Sequence, residues 1–199
     1  MPYRLSRFLL FLFLKTFFWL KAEGRQNIPK DGGVIIASNH TSYLDPLAVG
    51  CACPRPIDFM ARDTLFKAPL LGAWMHAVNA FDVKRESADL SAMKEGIRRL
   101  KSGRVLTVFP EGTRQANGQM GKAQAGVGFL AVKSEATVIP AFVCGTEKAL
   151  PKGAKFFRPA RVIVKFGQAV EIDSNKPYED IAQDILNSIR LLAADPKSS

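Results

Sequence analysis

Apolar residues fall along this chain in short β-branched runs and in stretches of helical spacing, and the two patterns alternate. Val34 to Ala37, after Gly-Gly, reads as a strand buried on both faces, and Val105 to Phe109, Val138 to Val143 and Val162 to Phe166 are of the same type. Between the first two runs the spacing predicts two helices. One covers Leu65 to Val78; the other begins near Ser87, sets Leu90, Met93, Ile97 and Leu100 on one face and stops at Gly103, a residue suited to a C-terminal cap. Ile181, Ile185, Ile189 and Leu192 mark a last helix. The alternation predicts an α/β fold with a single domain and a largely parallel or mixed sheet covered by helices. No repeat, low-complexity tract or linker interrupts it, so the expected division is an N-terminal helix over 1–24, one domain over 25–193 and a flexible tail over 194–199.

The N-terminus departs from this pattern. Residues 8–20, FLLFLFLKTFFWL, are almost wholly apolar, with Arg4, Arg7 and Lys21 flanking the run and Lys15 inside it. A helix from Tyr3 to Leu20 is roughly 27 Å long at about 1.5 Å per residue. That falls short of a hydrocarbon core of roughly 30 Å and would bury Lys15 within it, so a membrane span is disfavoured. A secretory leader is disfavoured because KAEGRQNIPKDGG offers no small-x-small cleavage site. The pattern predicts an amphipathic helix in the membrane interface, with Phe side chains and Trp19 inserted and the Lys and Arg reaching lipid phosphates. A helix packed under the domain is the competing reading.

Charge narrows the choice of partner. The 28 Lys and Arg against 18 Asp and Glu leave +10, which calls for an anionic partner. Up to Lys30 the basic residues Arg4, Arg7, Lys15, Lys21 and Arg25 face Glu23 alone, a bias suited to an anionic membrane surface. Nucleic acid is not expected, because the basic residues are scattered and the aromatics gather at the N-terminus instead of interleaving with a basic stripe. Cys51, Cys53 and Cys144 suit neither a disulfide framework nor a zinc site and read as reduced core residues. The expected location is the cytoplasmic face of the inner membrane, as a monotopic or peripheral protein.

Ligands of open α/β sheets bind outside the carboxyl ends of the strands. Two distant stretches fall there: NHTSYLDP, residues 39–46, after the first run, and FPEGTR, residues 109–114, after the second. On a regular helix His40 and Asp45 would point about 140° apart, so a working pair needs a turn, and Asn39, Thr41, Ser42 and Pro46 are turn and helix-start residues. A carboxylate on one imidazole nitrogen fixes the tautomer and leaves the other nitrogen as a general base. The bland alternative is a structural histidine satisfied by a nearby acid. In FPEGTR, Glu111 is an acceptor for hydroxyls, Gly112 permits close backbone approach, Thr113 can cap and Arg114 offers a fork for phosphate. An ordinary surface turn is the alternative there. His76, in an apolar helical stretch, reads as structural. There is no G-x-S-x-G elbow, and Ser42 reads as a turn residue, not a nucleophile.

Taken together, NHTSYLDP and FPEGTR resemble the first and third signature blocks of the glycerolipid acyltransferases typified by bacterial 1-acyl-glycerol-3-phosphate acyltransferase. FMARDTLFKAPLLGAWMHAVNAFDVKR, residues 59–85, is similar to the intervening stretch that ends in an arginine, and VIPAFVCG, residues 138–145, to the fourth, proline-containing block. The resemblance covers roughly residues 30 to 170. It implies a fold like that of the glycerol-3-phosphate acyltransferases. It also implies transfer of a fatty acyl group from acyl-CoA or acyl-ACP to the free hydroxyl of 1-acyl-glycerol-3-phosphate, giving phosphatidic acid, with no bound cofactor or metal. By position, His40 would be the general base and Asp45 its orienting acid. Glu111, Gly112, Thr113 and Arg114 would hold the glycerol phosphate, with Arg85 and Arg62 on its charge. Asp82 and Lys84 depart from the apolar surroundings expected around that arginine and leave the acceptor open: glycerol-3-phosphate, a lyso-phospholipid or a lyso-aminolipid. The implied partners are the membrane lipid substrate, an anionic membrane surface and acyl carrier protein as donor. A more distant alternative is a non-catalytic basic membrane-binding protein.

Overall fold

The oily run ahead of His40 is the middle strand of the sheet. In the computed structural model, which describes residues 2–83, 90–115, 120–151, 153–154 and 156–194, the chain opens with α1 (Pro2–Phe18), β1 (Lys21–Glu23), β2 (Val34–Ser38), α2 (Asp45–Ala52), β3 (Ile57–Arg62), α3 (Pro69–Ala77) and β4 (Ala80–Val83). It continues with α4 (Leu90–Lys101), β5 (Val105–Val108), α5 (Gly126–Ser134), β6 (Thr137–Cys144), α6 (Thr146–Ala149), β7 (Ile163–Phe166) and α7 (Tyr178–Ala194). The strands form one 7-stranded sheet in the order β1-β7-β6-β2-β5-β3-β4. β2 lies parallel between β5 and β6, with Val34 beside both Val105 and Thr137. β7 runs antiparallel to β6, which makes the sheet mixed.

Every residue of β2 is buried because helices cover both faces of the sheet. Successive side chains alternate between two cores. Val34 and Ile36 pack with Leu14 and Phe18 of α1 and Val49 of α2, whereas Ile35 and Ala37 meet Leu100 of α4, Leu130 of α5 and Ile181, Ile185 and Ile189 of α7. Each fully buried Leu or Ile contributes about 2 kcal/mol of transfer free energy.

Helix α1 divides its apolar surface. Leu14 and Phe18 are buried on the domain, while Leu5, Phe8, Leu9 and Leu12, at i, i+3, i+4 and i+7, form an exposed stripe on the other side. The Arg7 guanidinium donates to the Cys53 carbonyl, and the Ile57 N–H donates to the Tyr3 hydroxyl at 2.9 Å, so α1 is tied to the domain by polar contacts as well. No helix among the described residues is long and apolar enough to cross a membrane.

The helix expected over Leu65 to Val78 is in fact a 3-10 turn, Asp63–Phe66, followed by α3. Pro69 forces the break: it occupies the first turn of α3 and holds Ala68 extended at φ −83°, ψ 120°. β5 stops one residue earlier than the run suggested, and this frees Phe109 for the site. The proposed start of α4 at Ser87 lies outside the described residues; of the tail expected over 194–199, Ala194 ends α7 and the rest lies outside the described residues.

Candidate active site

The ends of β2, β5 and β6 meet at one place. Asn39 fastens the end of β2 to β6, its side-chain N–H donating to the Val143 carbonyl at 2.8 Å while its Oδ1 accepts the Val143 N–H at 2.7 Å. The chain then turns before entering α2, whose first residues are Asp45 and Pro46. Within that turn one carboxylate oxygen does most of the organising: Asp45 Oδ2 accepts the Thr41 N–H at 2.6 Å, the Ser42 N–H at 2.8 Å and the His40 Nδ1 hydrogen at 2.9 Å. Because an ionised carboxylate only accepts, Nδ1 carries the proton and the Nε2 lone pair is left available. Ser42 donates to the Leu150 carbonyl at 2.9 Å, as a residue shaping the turn.

The second carboxylate oxygen of Asp45 has its own donor. Thr146 Oγ1 donates to Asp45 Oδ1 at 2.5 Å, and both residues are completely buried. Gly145 positions this threonine: its φ of +88° and the Arg161 carbonyl, 1.9 Å from where a Cβ would stand, leave no room for a side chain. Thr146 was missed by sequence reasoning because only its place immediately after the proline-containing block hints at it.

The FPEGTR loop grips the histidine from the other side. Phe109 stacks on the imidazole with ring centroids 4.1 Å apart. The His40 N–H donates to Glu111 Oε2 at 3.3 Å, and the Gln115 N–H donates to the His40 carbonyl at 2.8 Å. Glu111 is buried, and its Oε1 makes no hydrogen bond of acceptable geometry. Burial, only partly offset by the backbone amides of His40 and Gly121, pushes its carboxyl up to about 7. The Arg114 guanidinium lies 3.5 Å above the Tyr43 ring, a cation–π contact that holds the fork in place.

His40, Tyr43, Arg62, Gly112 and Arg114 line a cavity of about 740 Å³ whose remaining walls are largely apolar, among them Leu10, Leu47, Phe59, Trp74 and Leu130. Asp45 and Glu111 lie buried behind that wall. Thr113 is exposed and is not part of the lining, and its carbonyl accepts the Gln115 side-chain amide at 3.3 Å. Arg85 lies outside the described residues. His76 stands on α3, exposed, with its ring 4.9 Å from that of Phe66 and away from the cavity lining. Among the described residues no cluster of metal-ligating side chains occurs. The arrangement holds an oriented imidazole base and a guanidinium in the wall of a largely apolar cavity, which suits deprotonation of a hydroxyl on an amphiphilic anion.

A family model described as Acyltransferase matches residues 20–144. The chain belongs to the acyltransferase family. It is 29% identical over 150 residues to a 1-acyl-sn-glycerol-3-phosphate acyltransferase of Bacillus subtilis, an alignment spanning 75% of this chain and 72% of that one. A chloroplast 1-acyl-sn-glycerol-3-phosphate acyltransferase of Arabidopsis thaliana is 28% identical over 173 residues, with 85% of this chain covering 46% of that longer protein. The crystal structure of the 1-acyl-sn-glycerophosphate acyltransferase PlsC of Thermotoga maritima is similar in fold, at a TM-score of 0.73 and 25% identity over 96% of this chain and 83% of that one. This acyltransferase therefore keeps its family's α/β domain, with the His40–Asp45 turn and the FPEGTR loop both inside the matched segment.

Proposed function

We propose that the protein transfers a fatty acyl group from acyl-CoA or acyl-ACP to the free hydroxyl of 1-acyl-glycerol-3-phosphate, giving phosphatidic acid. The observation that carries the proposal is the His40–Asp45 hydrogen bond of 2.9 Å in the wall of a largely apolar cavity that also presents Arg114. His40 Nε2 takes the hydroxyl proton as the acceptor oxygen attacks the thioester carbonyl, and Asp45 holds the resulting imidazolium. The tetrahedral intermediate collapses with cleavage of the C–S bond, and the departing thiolate recovers the proton from His40. A thioester is already activated, so no covalent acyl-enzyme is needed.

Arg114, stacked on Tyr43, receives the phosphate, with Arg62 at the end of β3 and Arg85 as further cations and Gly112 allowing close approach. Glu111, buried behind the cavity wall, acts on the site through its hydrogen bond with the His40 backbone N–H and, once ionised, through its charge. The acyl chains occupy the apolar part of the cavity, and the exposed face of α1 keeps the enzyme at the cytoplasmic surface of the membrane, where its substrates dissolve. The relatives' names support lysophosphatidic acid as acceptor. The test is an acceptor and donor panel with wild-type and His40→Ala proteins. The substitution should lower kcat by about 10²- to 10⁴-fold while vesicle binding persists. Unchanged turnover removes His40 from the mechanism, and acylation of glycerol-3-phosphate or another lyso-lipid in preference to lysophosphatidic acid reassigns the acceptor.

A further inference from the structure

We infer that the Phe156–Arg158 segment is a second lipid-inserting element which, together with the outward face of α1, docks the enzyme on an anionic bilayer; this deepens the reading of the protein as a lipid acyltransferase. Between α6 and β7 the chain presents Phe156 and Phe157, 81% and 55% exposed. A pair of bare phenylalanines on a loop is an unfavourable arrangement in water unless something covers them.

The segment is not adrift. The Phe157 ring packs edge-on against Phe13 at 5.8 Å and Phe18 at 5.9 Å, both from α1, and the Arg158 N–H donates to the Ala149 carbonyl at 2.8 Å. A cleft of about 260 Å³ lies between loop and helix, walled by Phe13, Phe17, Phe18, Phe157, Arg158 and Pro159. Phe157 thus seats the loop on α1 beside the exposed Phe17 and leaves the neighbouring Phe156 bare, while α1 and its end expose Leu5, Phe8, Leu9, Leu12 and Trp19 as well.

Charge identifies the occupant. Lys15 and Arg158 are exposed at this surface, α1 contains no acidic residue, and the sequence from Pro151 to Arg161 contains basic residues and no Asp or Glu. A second copy laid on the same face would oppose cation with cation, whereas lipid phosphates neutralise them. The same helix lines the catalytic cavity through Tyr3, Arg7 and Leu10 on its inward side, so docking its outward face holds the cavity about one helix diameter from the lipid.

The test is sedimentation of the full chain with vesicles of phosphatidylcholine alone and with added phosphatidylglycerol, without donor or acceptor, so the result stands whether or not the acyl-transfer reading holds. Phe156→Ser should weaken partitioning into the mixed vesicles about tenfold, and Phe156→Trp should restore it with a blue-shifted, lipid-quenched emission above the wild-type background. Arg158→Glu should weaken binding severalfold to anionic vesicles and leave binding to phosphatidylcholine unchanged. Acyl transfer by Phe156→Ser should match wild type on a dispersed short-chain acceptor and fall on a vesicle-borne one. Wild-type sedimentation by Phe156→Ser, or Phe156-dependent dimerisation in the absence of vesicles, overturns the proposal.

Discussion

Replacing Thr146 with valine tests how far the fourth strand-end block takes part in catalysis. Valine keeps the shape of the side chain and removes a single donor, the hydroxyl that meets Asp45 Oδ1 at 2.5 Å in a site sealed from water. No solvent reaches the oxygen left behind, and a hydrogen bond to a charged group contributes about 1.5–3 kcal/mol. If half or more of that loss is felt by the transition state, in which Asp45 must hold an imidazolium, kcat falls by about 3- to 100-fold. The remainder appears as lower stability, at about 2–4 °C of melting temperature per kcal/mol for a chain of this size. Steady-state acylation with saturating acceptor, well below the melting temperature, separates the two effects. Thr146→Val should lose kcat with little change in KM, and Thr146→Ser, which keeps the donor, should recover most of it. A valine variant whose kcat stays within twofold of wild type, whatever its melting temperature, would show that Thr146 only supports the fold.

Removing the Tyr43 ring with Tyr43→Leu should raise KM for a phosphate-bearing acceptor about two- to fivefold by releasing the guanidinium stacked upon it; an equal rise for an uncharged acceptor would contradict this. Asp58, buried at the opposite end of the sheet, pairs with Arg104 and, at 3.2 Å, with Arg99. Asp58→Ala should destabilise the protein by about 3 kcal/mol in denaturant unfolding and leave kcat unchanged. Glu111 supplies a pH prediction. Its carboxyl is raised from 4.5 to about 7 by burial, so the folded state binds the extra proton between those values and stability falls as pH rises through them. Glu111→Gln should therefore melt higher relative to wild type at pH 8 than at pH 5, and the increase in acceptor KM expected above pH 7, where an anionic Glu111 repels phosphate, should flatten.

The elements legible in the sequence were those whose stabilisation is written locally. β2, β5, β6 and β7 are short runs rich in β-branched residues, α7 has its Ile periodicity, and α1 its aromatic density. β3 was not legible, because IDFMAR carries Asp58 at a position that is 1% exposed. The charge is tolerable only because Arg99 and Arg104, distant in sequence, close on it. α5, GVGFLAVKS, was hidden by its glycines. Gly128 is there for contact, since a Cβ would stand 2.2 Å from the Tyr178 carbonyl and push α7 away. β1, at 3 residues, is too short for any period to register, and β4, AFDV, has its apolar run broken at Asp82. The same distinction divides the site. His40 with Asp45 and the FPEGTR loop are contiguous motifs, whereas Thr146 and the Tyr43–Arg114 stack exist only once three strand ends are brought together.

That meeting of strand ends explains why the catalytic pair sits where it does. A carboxylate sealed from water has to be surrounded by donors, and Asp45 draws its own from the β2–α2 turn, from the imidazole and from the segment following β6. The turn cannot close without the acid, and the acid cannot be buried unless β6 lies beside β2 and delivers Thr146. The imidazole is fixed in turn by Phe109 and by backbone bonds from the loop following β5. Orientation of the base is thus set by sheet order, with β2 between β5 and β6, and not by the five-residue motif alone. An isolated NHTSYLDP peptide would have no reason to hold its histidine and aspartate together, because two of the contacts that fix them come from chain segments more than a hundred and about seventy residues away.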